Sequence, residues 1–112
     1  MTTLLALYRR PDGGPEALDA FERAYSERHL PLVAATPGLR SIRCDRVSQG
    51  LGAPTDLVLV AAMTFDDRAS LDAGLASDEM RAAGRILREI APGLATLLIL
   101  EDASELVPEG RR

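Results

Sequence analysis

Phe21, Tyr25 and His29 occupy every fourth position of the stretch Phe21-Glu-Arg-Ala-Tyr-Ser-Glu-Arg-His-Leu-Pro-Leu32. On an α-helix this spacing puts the three rings on one face, together with Leu32. His29 is the single histidine of the chain, and Pro31 interrupts the helical hydrogen-bond ladder two residues later. The pattern predicts an amphipathic helix packed on another element, with an imidazole near the point where the helix breaks.

Alternating and helical apolar patterns flank this stretch on both sides. They predict strands over 3–9, 39–47, 56–65 and 94–100, and helices over 15–29, over 31–35, after Asp66 or Asp67 and after Ser77 or Asp78. The order β-α-β-β-α-β is the split βαβ arrangement of a ferredoxin-like α+β sandwich, in which helices cover one face of a four-stranded antiparallel sheet. We expect one such domain over residues 1–102 and a polar tail over 103–112.

The predicted strand over 56–65 is apolar on both alternations, which is typical of a strand covered on both faces. A two-layer domain covers only one face of its sheet with its own helices. A bare apolar face of this size indicates an interface. We therefore predict a homodimer in which two sheets meet face to face as a closed α/β barrel, with two-fold symmetry.

Composition narrows the classes of partner. The 112 residues carry a net charge of −4, and all 13 basic residues are arginine, which does not suit nucleic-acid binding. The apolar run over 57–63 is too short to cross a membrane. Cys44, the single cysteine, cannot form an internal disulfide, which suits a cytoplasmic location. Glycine-rich nucleotide motifs are absent, so we predict no cofactor.

Candidate site residues follow from His29 and its neighbours. His29 is interpreted either as a half-buried residue that contacts helix-end carbonyls or as a general acid/base. Tyr8 shares its strand alternation with Arg10, and that face could line the barrel interior or cover the helix layer. One His and one Cys cannot supply a typical zinc shell, so no metal site is predicted. The predicted catalytic residues are His29, Tyr25 and Tyr8, and the predicted substrate-pocket residues are Arg10, Phe21 and Leu32.

Several segments together resemble the EthD family of dimeric α/β-barrel proteins. The resemblance is carried by Leu7-Tyr-Arg-Arg-Pro-Asp-Gly13, the stretch from Phe21 to Leu32, Pro37-Gly-Leu39, Phe65-Asp-Asp-Arg-Ala-Ser-Leu71, Leu75-Ala-Ser77 and Thr96-Leu-Leu-Ile-Leu-Glu101. The family is named for a protein of fuel-ether degradation, and its members are often labelled reductases. Many relatives carry a histidine where this chain has Ala24, so a mechanism that needs two histidines is not expected.

The resemblance also implies a range of activities. The wider superfamily includes cofactor-free monooxygenases of aromatic polyketides, lactone isomerases, decarboxylases and haem-binding proteins. We therefore expect a cofactor-free monooxygenase-type, other oxidoreductase or isomerase-type enzyme acting on a hydrophobic metabolite held in the barrel cavity. The alternative is a non-catalytic dimer that binds a ligand or assists a partner oxidoreductase.

Overall fold

The computed structural model describes residues 1–110. Its elements, in chain order, are β1 (Thr2–Arg9), α1 (Gly14–Ala24), a π-helical turn (Tyr25–His29), α2 (Leu30–Ala34), β2 (Ser41–Arg46), β3 (Leu57–Phe65), α3 (Arg68–Leu75), α4 (Asp78–Ile90), β4 (Ala95–Glu101) and a 3₁₀ turn (Ser104–Leu106). The strands form one antiparallel sheet in the order β2-β3-β1-β4. This is the ferredoxin-like α+β fold, as the sequence predicted.

Side chains of β1 alternate strictly between the two faces of the sheet. Leu4, Ala6 and Tyr8 are buried against the helices, whereas Leu5 and Leu7 are only half-buried on the opposite face. The same register assigns Leu59, Ala61, Met63 and Phe65 of β3 to the helix side. The core therefore lies between the sheet and the helices, and Tyr8 belongs to it.

The opposite face of the sheet is apolar at its centre and has no helix over it. Its central side chains are Leu5, Leu7, Val60, Ala62, Leu98 and Leu100. Leu98 and Leu100 on the edge strand β4 are 42% and 41% exposed. This arrangement is the bare apolar face predicted from the alternation of β3. Arg43 and Asp45 of β2 lie at its rim as an exposed ion pair.

Helix ends follow the predicted capping signals. The side chain of Asp67 accepts a hydrogen bond from the backbone N–H of Ser70. The hydroxyl of Ser77 likewise accepts one from the backbone N–H of Met80. In α3, Gly74 packs directly against Phe65, because a methyl group on Gly74 would lie 2.8 Å from Cε2 of that ring. These contacts fix α3 and α4 on the sheet beside the first helix.

Candidate active site

The sequence predicted a helix over 15–29 and a second one over 31–35, and the structure joins the two through a π-helical turn with no break between them. The N–H of Leu30 donates to the carbonyl of Tyr25, five residues earlier, which defines the π-helical turn. Pro31 lacks an N–H, and in a regular α-helix its ring would clash with the carbonyl of Glu27. A single wide turn relieves this conflict and lets the chain continue directly into α2.

The wide turn stacks Tyr25 on His29. Their ring centroids lie 4.9 Å apart with an interplanar angle of 29°. Both residues are buried, with His29 only 5% exposed. The imidazole is therefore held in position by packing and faces inward, not toward solvent at a helix end.

A hydrogen bond to α4 defines the tautomer of His29. Its Nδ1 lies 2.9 Å from the carbonyl oxygen of Ala83. A carbonyl can only accept, so Nδ1 carries the hydrogen and Nε2 of the neutral ring keeps its lone pair. Burial lowers the pKa of His29, and the bond to Ala83 only partly opposes that shift. At neutral pH His29 is thus a neutral imidazole with Nε2 as a free base.

Tyr8 and Tyr25 form a buried hydroxyl pair next to this imidazole. The hydroxyl of Tyr25 donates to that of Tyr8 across 3.1 Å. Burial raises the pKa of Tyr8 to about 12 and also raises the pKa of Tyr25. Both hydroxyls therefore stay protonated at neutral pH, and Tyr8 keeps its own hydrogen for another acceptor.

A cavity of about 280 Å³ lies between the sheet and the helices and contains this imidazole and one of the tyrosines. Its lining is Leu4, Ala6, Tyr8, His29, Val33, Met63, Leu75, Met80, Arg81, Gly84, Leu87, Arg88 and Leu97. Every buried side-chain nitrogen or oxygen in residues 1–110 has a hydrogen-bond partner. Nδ1 of His29 is used in the bond to Ala83, so Nε2 is the ring nitrogen left for a ligand in the cavity that His29 lines. An apolar cavity with a few polar groups is the usual composition of a small-molecule site.

The predicted site residues separate into three groups. Tyr8 and His29 line the cavity together. Tyr25 and Phe21 lie behind them as packing, with Phe21 5.7 Å from the ring of Tyr8 and 5.6 Å from that of Tyr25. Arg10 is exposed beyond the end of β1 and does not line this cavity, so its assignment to a substrate pocket stays a prediction.

Two further observations locate this cavity relative to the predicted pocket. Leu32 packs against the core, but Val33 is the residue of α2 that reaches the cavity. This cavity lies between the helices and the sheet of one chain, and it is a different space from the predicted barrel interior between two sheets. The strand alternation that carries Tyr8 faces the helix layer, which decides between the two orientations left open by the sequence.

Arg81 and Arg88 also line the cavity, and the sequence analysis did not select them. The available signal was the pair of arginines seven residues apart with a glycine between them, because that spacing keeps both on one side of the helix.

Residues 1–110 contain neither a candidate metal cluster nor a membrane-spanning helix. No group of three or more His, Cys, Asp and Glu side chains within residues 1–110 is placed to hold a metal ion. Over the same residues, no helix combines the length and apolarity that crossing a membrane requires.

The polar side chains that line the cavity are an imidazole, a phenol and two guanidiniums.

Comparisons by sequence give one curated relative and no family model that matches the chain. The relative is an uncharacterised 11.0 kDa protein encoded between thcB and thcC in Rhodococcus erythropolis. It is 26% identical over 87 residues, which cover 78% of this chain and 84% of that protein.

Comparisons of structure are more informative. A cofactor-independent oxygenase, SnoaB from Streptomyces nogalater, has 16% identity, a TM-score of 0.60 and coverage of 96% and 97% of the two chains. A dimeric ferredoxin-like protein from Bacteroides fragilis has 20% identity, a TM-score of 0.66 and coverage of 90% and 95%. At these identities the likeness shows a shared fold alone.

One solved structure is similar to this chain in sequence as well as in fold. An EthD family protein from Bacillus halodurans is 32% identical, covers 91% of this chain and 98% of its own, and superposes with a TM-score of 0.81. Shared identity over nearly the whole of both chains confirms the resemblance predicted from the sequence segments. The chain belongs to the EthD family.

Proposed function

We propose that this protein is a cofactor-free enzyme that removes a proton from an apolar small molecule bound between its helices and its sheet. One observation carries the proposal. Nδ1 of the neutral imidazole of His29 is fixed by Ala83, which leaves Nε2 free, and His29 and Tyr8 line the same aliphatic cavity. A fixed base and a fixed hydrogen-bond donor in one apolar cavity are the components of proton-transfer catalysis.

Each group has a defined role in the proposed step. Nε2 of His29 accepts a proton from an acidic C–H or O–H of the substrate. The Nδ1–H bond to Ala83 stabilises the imidazolium that forms, as such bonds do in other histidine bases. The hydroxyl of Tyr8 donates to the developing oxyanion, and donation from Tyr25 to Tyr8 polarises that hydroxyl further.

The substrate anion has two productive fates. Return of the proton to a different carbon completes an isomerisation. Reaction with O₂ instead converts a CH₂ group to a carbonyl, with one oxygen atom entering the product and the other leaving as water. The fold shared with SnoaB, a cofactor-independent oxygenase, favours testing the second fate first. The absence of nucleotide-binding motifs from the sequence fits both.

We also propose that the active molecule is a homodimer in the cytoplasm. The bare face of the sheet exposes Leu98 and Leu100 and includes Leu5, Leu7 and Val60. A second copy would cover this face, since its apolar centre matches itself under a two-fold axis. The related fold from Bacteroides fragilis is described as dimeric. Cys44 is exposed and unpaired by any second cysteine, which suits a reducing compartment.

Anthrone provides a direct test of the proposed activity, because it is an apolar tricyclic ketone with an acidic CH₂ group. Its reaction with O₂ gives anthraquinone and water, which an oxygen electrode and absorbance can follow. We expect turnover by the wild-type chain and a loss of about 100-fold or more in His29→Ala. Arg85→Ala is the control, because Arg85 is exposed on α4 and does not line the cavity.

The outcomes separate the enzyme from a binding protein. Wild-type turnover that His29→Ala leaves unchanged would contradict the role of His29. Binding of anthrone without turnover, and without exchange of its CH₂ hydrogens for deuterium, would favour the non-catalytic ligand-binding interpretation.

A further inference from the structure

We propose that the cavity takes an apolar ligand with an acidic group, and that Arg81 and Arg88 bind this group as a carboxylate at the cavity mouth. The inference rests on the proposed function, since it specifies the class of substrate for the same cavity. It adds two recognition residues that neither the aromatic stripe nor the general-base step includes.

The geometry of α4 brings the two guanidiniums to one side of the cavity. Arg81 and Arg88 are seven residues apart, so they share a helix face about 10 Å apart along the axis. Gly84 lies between them and also lines the cavity. A methyl group on Gly84 would lie 3.6 Å from Nη1 of Arg88. The guanidinium of Arg88 therefore leans back over Gly84, toward Arg81.

The charges of both arginines are available to a ligand. Within residues 1–110, neither forms an ion pair with a carboxylate, whereas Arg28, Arg40 and Arg68 each do. The chain has 17 acidic and 13 basic residues, so carboxylates are plentiful. Two unpaired guanidiniums beside an aliphatic cavity fit an amphipathic anion, with its apolar body inside and its charge at the mouth.

Arg88 also lines a second cavity. A neighbouring cavity of about 250 Å³ shares Gly84, Leu87, Arg88 and Leu97 with the first. A ligand larger than the first cavity can therefore extend along α4 with its acidic group still near Arg88. The anion site consists of side-chain guanidiniums and no helix N-terminus, where phosphates commonly bind. A guanidinium can bind a carboxylate through two parallel hydrogen bonds, so a carboxylate is the anion that the proposal tests.

The proposal defines an orientation for the substrate. His29 and Tyr8 belong to the buried interior, whereas Arg81 and Arg88 are exposed at the rim. A carboxylate held at the rim would point the apolar body inward, toward Nε2 of His29. The arginines thus act as binding and orienting residues, separate from the groups that move the proton.

Calorimetric titration with 2-naphthoate and 2-naphthamide tests this, because the two probes share one ring system and differ in charge. We expect the purified wild-type protein to bind 2-naphthoate about fivefold to tenfold more tightly than 2-naphthamide. Higher ionic strength should weaken that preference. Arg81→Gln and Arg88→Gln should each reduce it, whereas Arg85→Gln, on the same helix, should keep it. Circular dichroism melting verifies that each variant is folded.

Equal affinity for the two probes, no binding of 2-naphthoate, or an equal effect of Arg85→Gln would overturn the proposal. His29→Ala should retain the preference, because the arginines do not depend on the base. Binding is measured without turnover, so the two proposals fail separately. Loss of the naphthoate preference leaves the His29 experiment untouched, and an active His29→Ala variant leaves the binding result standing.

Discussion

At the scale of single residues, the site depends on how burial changes protonation. His29 is neutral because its charged form loses solvation in the core, and Nδ1 donates to Ala83. Tyr8 and Tyr25 keep their protons for the same reason. One apolar environment therefore gives a free base and a protonated donor at the same pH, which is the combination that proton transfer requires.

The lowered pKa of His29 predicts a dependence of stability on pH. The unfolded chain binds a proton with the ordinary histidine pKa of 6.5, whereas the folded chain resists that proton. The free energy of unfolding should therefore be fully present above about pH 6.5 and fall as the pH drops below it. Urea unfolding between pH 8 and 5 (roughly the histidine range) measures this. His29→Gln should flatten that part of the profile, and an unchanged slope would contradict the buried neutral state.

The hydroxyl pair predicts unequal effects of two conservative variants. Tyr8→Phe removes the donor to the substrate oxyanion and should lower kcat for anthrone by about 100-fold. Tyr25→Phe removes only the bond that polarises Tyr8, so its effect should be smaller. The double variant should be no worse than Tyr8→Phe alone, because both act through one chain of hydrogen bonds. A larger loss in Tyr25→Phe would contradict this order.

At the scale of elements, two features position the site. They are the π-helical turn over Tyr25–His29 and the contact of Gly74 in α3 with Phe65. Pro31 identifies the helix break in the sequence, but the wide turn depends on tertiary packing. Phe21 and Tyr25 must face β1 while Val33 reaches the cavity, and one extra residue in the turn satisfies both demands. Sequence periodicity cannot show such an adjustment, because it assumes a constant helical repeat.

Two glycine substitutions test how tightly the helix layer is packed. Gly74→Ala should destabilise the protein by about 1–3 kcal/mol, since the new methyl would meet Phe65 at 2.8 Å. Gly84→Ala should be stabilising by about 0.5–1 kcal/mol, because its methyl meets only Nη1 of Arg88 at ordinary contact distance. Thermal or urea unfolding of both variants makes the comparison. Equal changes in the free energy of unfolding would show that the ring of Phe65 moves aside without a measurable cost.

At the scale of the whole molecule, the fold could be predicted from sequence but the place of the site could not. The order of strands and helices follows from local patterns, and the apolar strand β3 indicates a bare sheet face. The side of the sheet that Tyr8 faces does not follow, because β1 is apolar on both alternations. The seven-residue spacing of Arg81 and Arg88 indicates that they share a helix face, but the sequence does not show that this face borders a cavity.

The bare sheet face predicts the assembly. Light scattering should give twice the mass of one chain at micromolar concentration. Leu98→Arg should shift the protein toward the monomer, since it places a charge on the apolar face that the predicted interface covers. Leu106→Arg, at an exposed position away from the sheet, is the control. A monomeric wild-type chain, or equal effects of the two variants, would contradict the dimer.

Chemical rescue of His29→Ala tests the central claim most directly. Truncation leaves a space beside Tyr8 that free imidazole can enter, so added imidazole supplies the missing base without altering any other group. The measurement is the rate of anthrone turnover by the variant as imidazole is added. We predict a rate that is about 100-fold below wild type without imidazole and that rises with its concentration. A variant as fast as wild type without imidazole would contradict the assignment of His29 as the base.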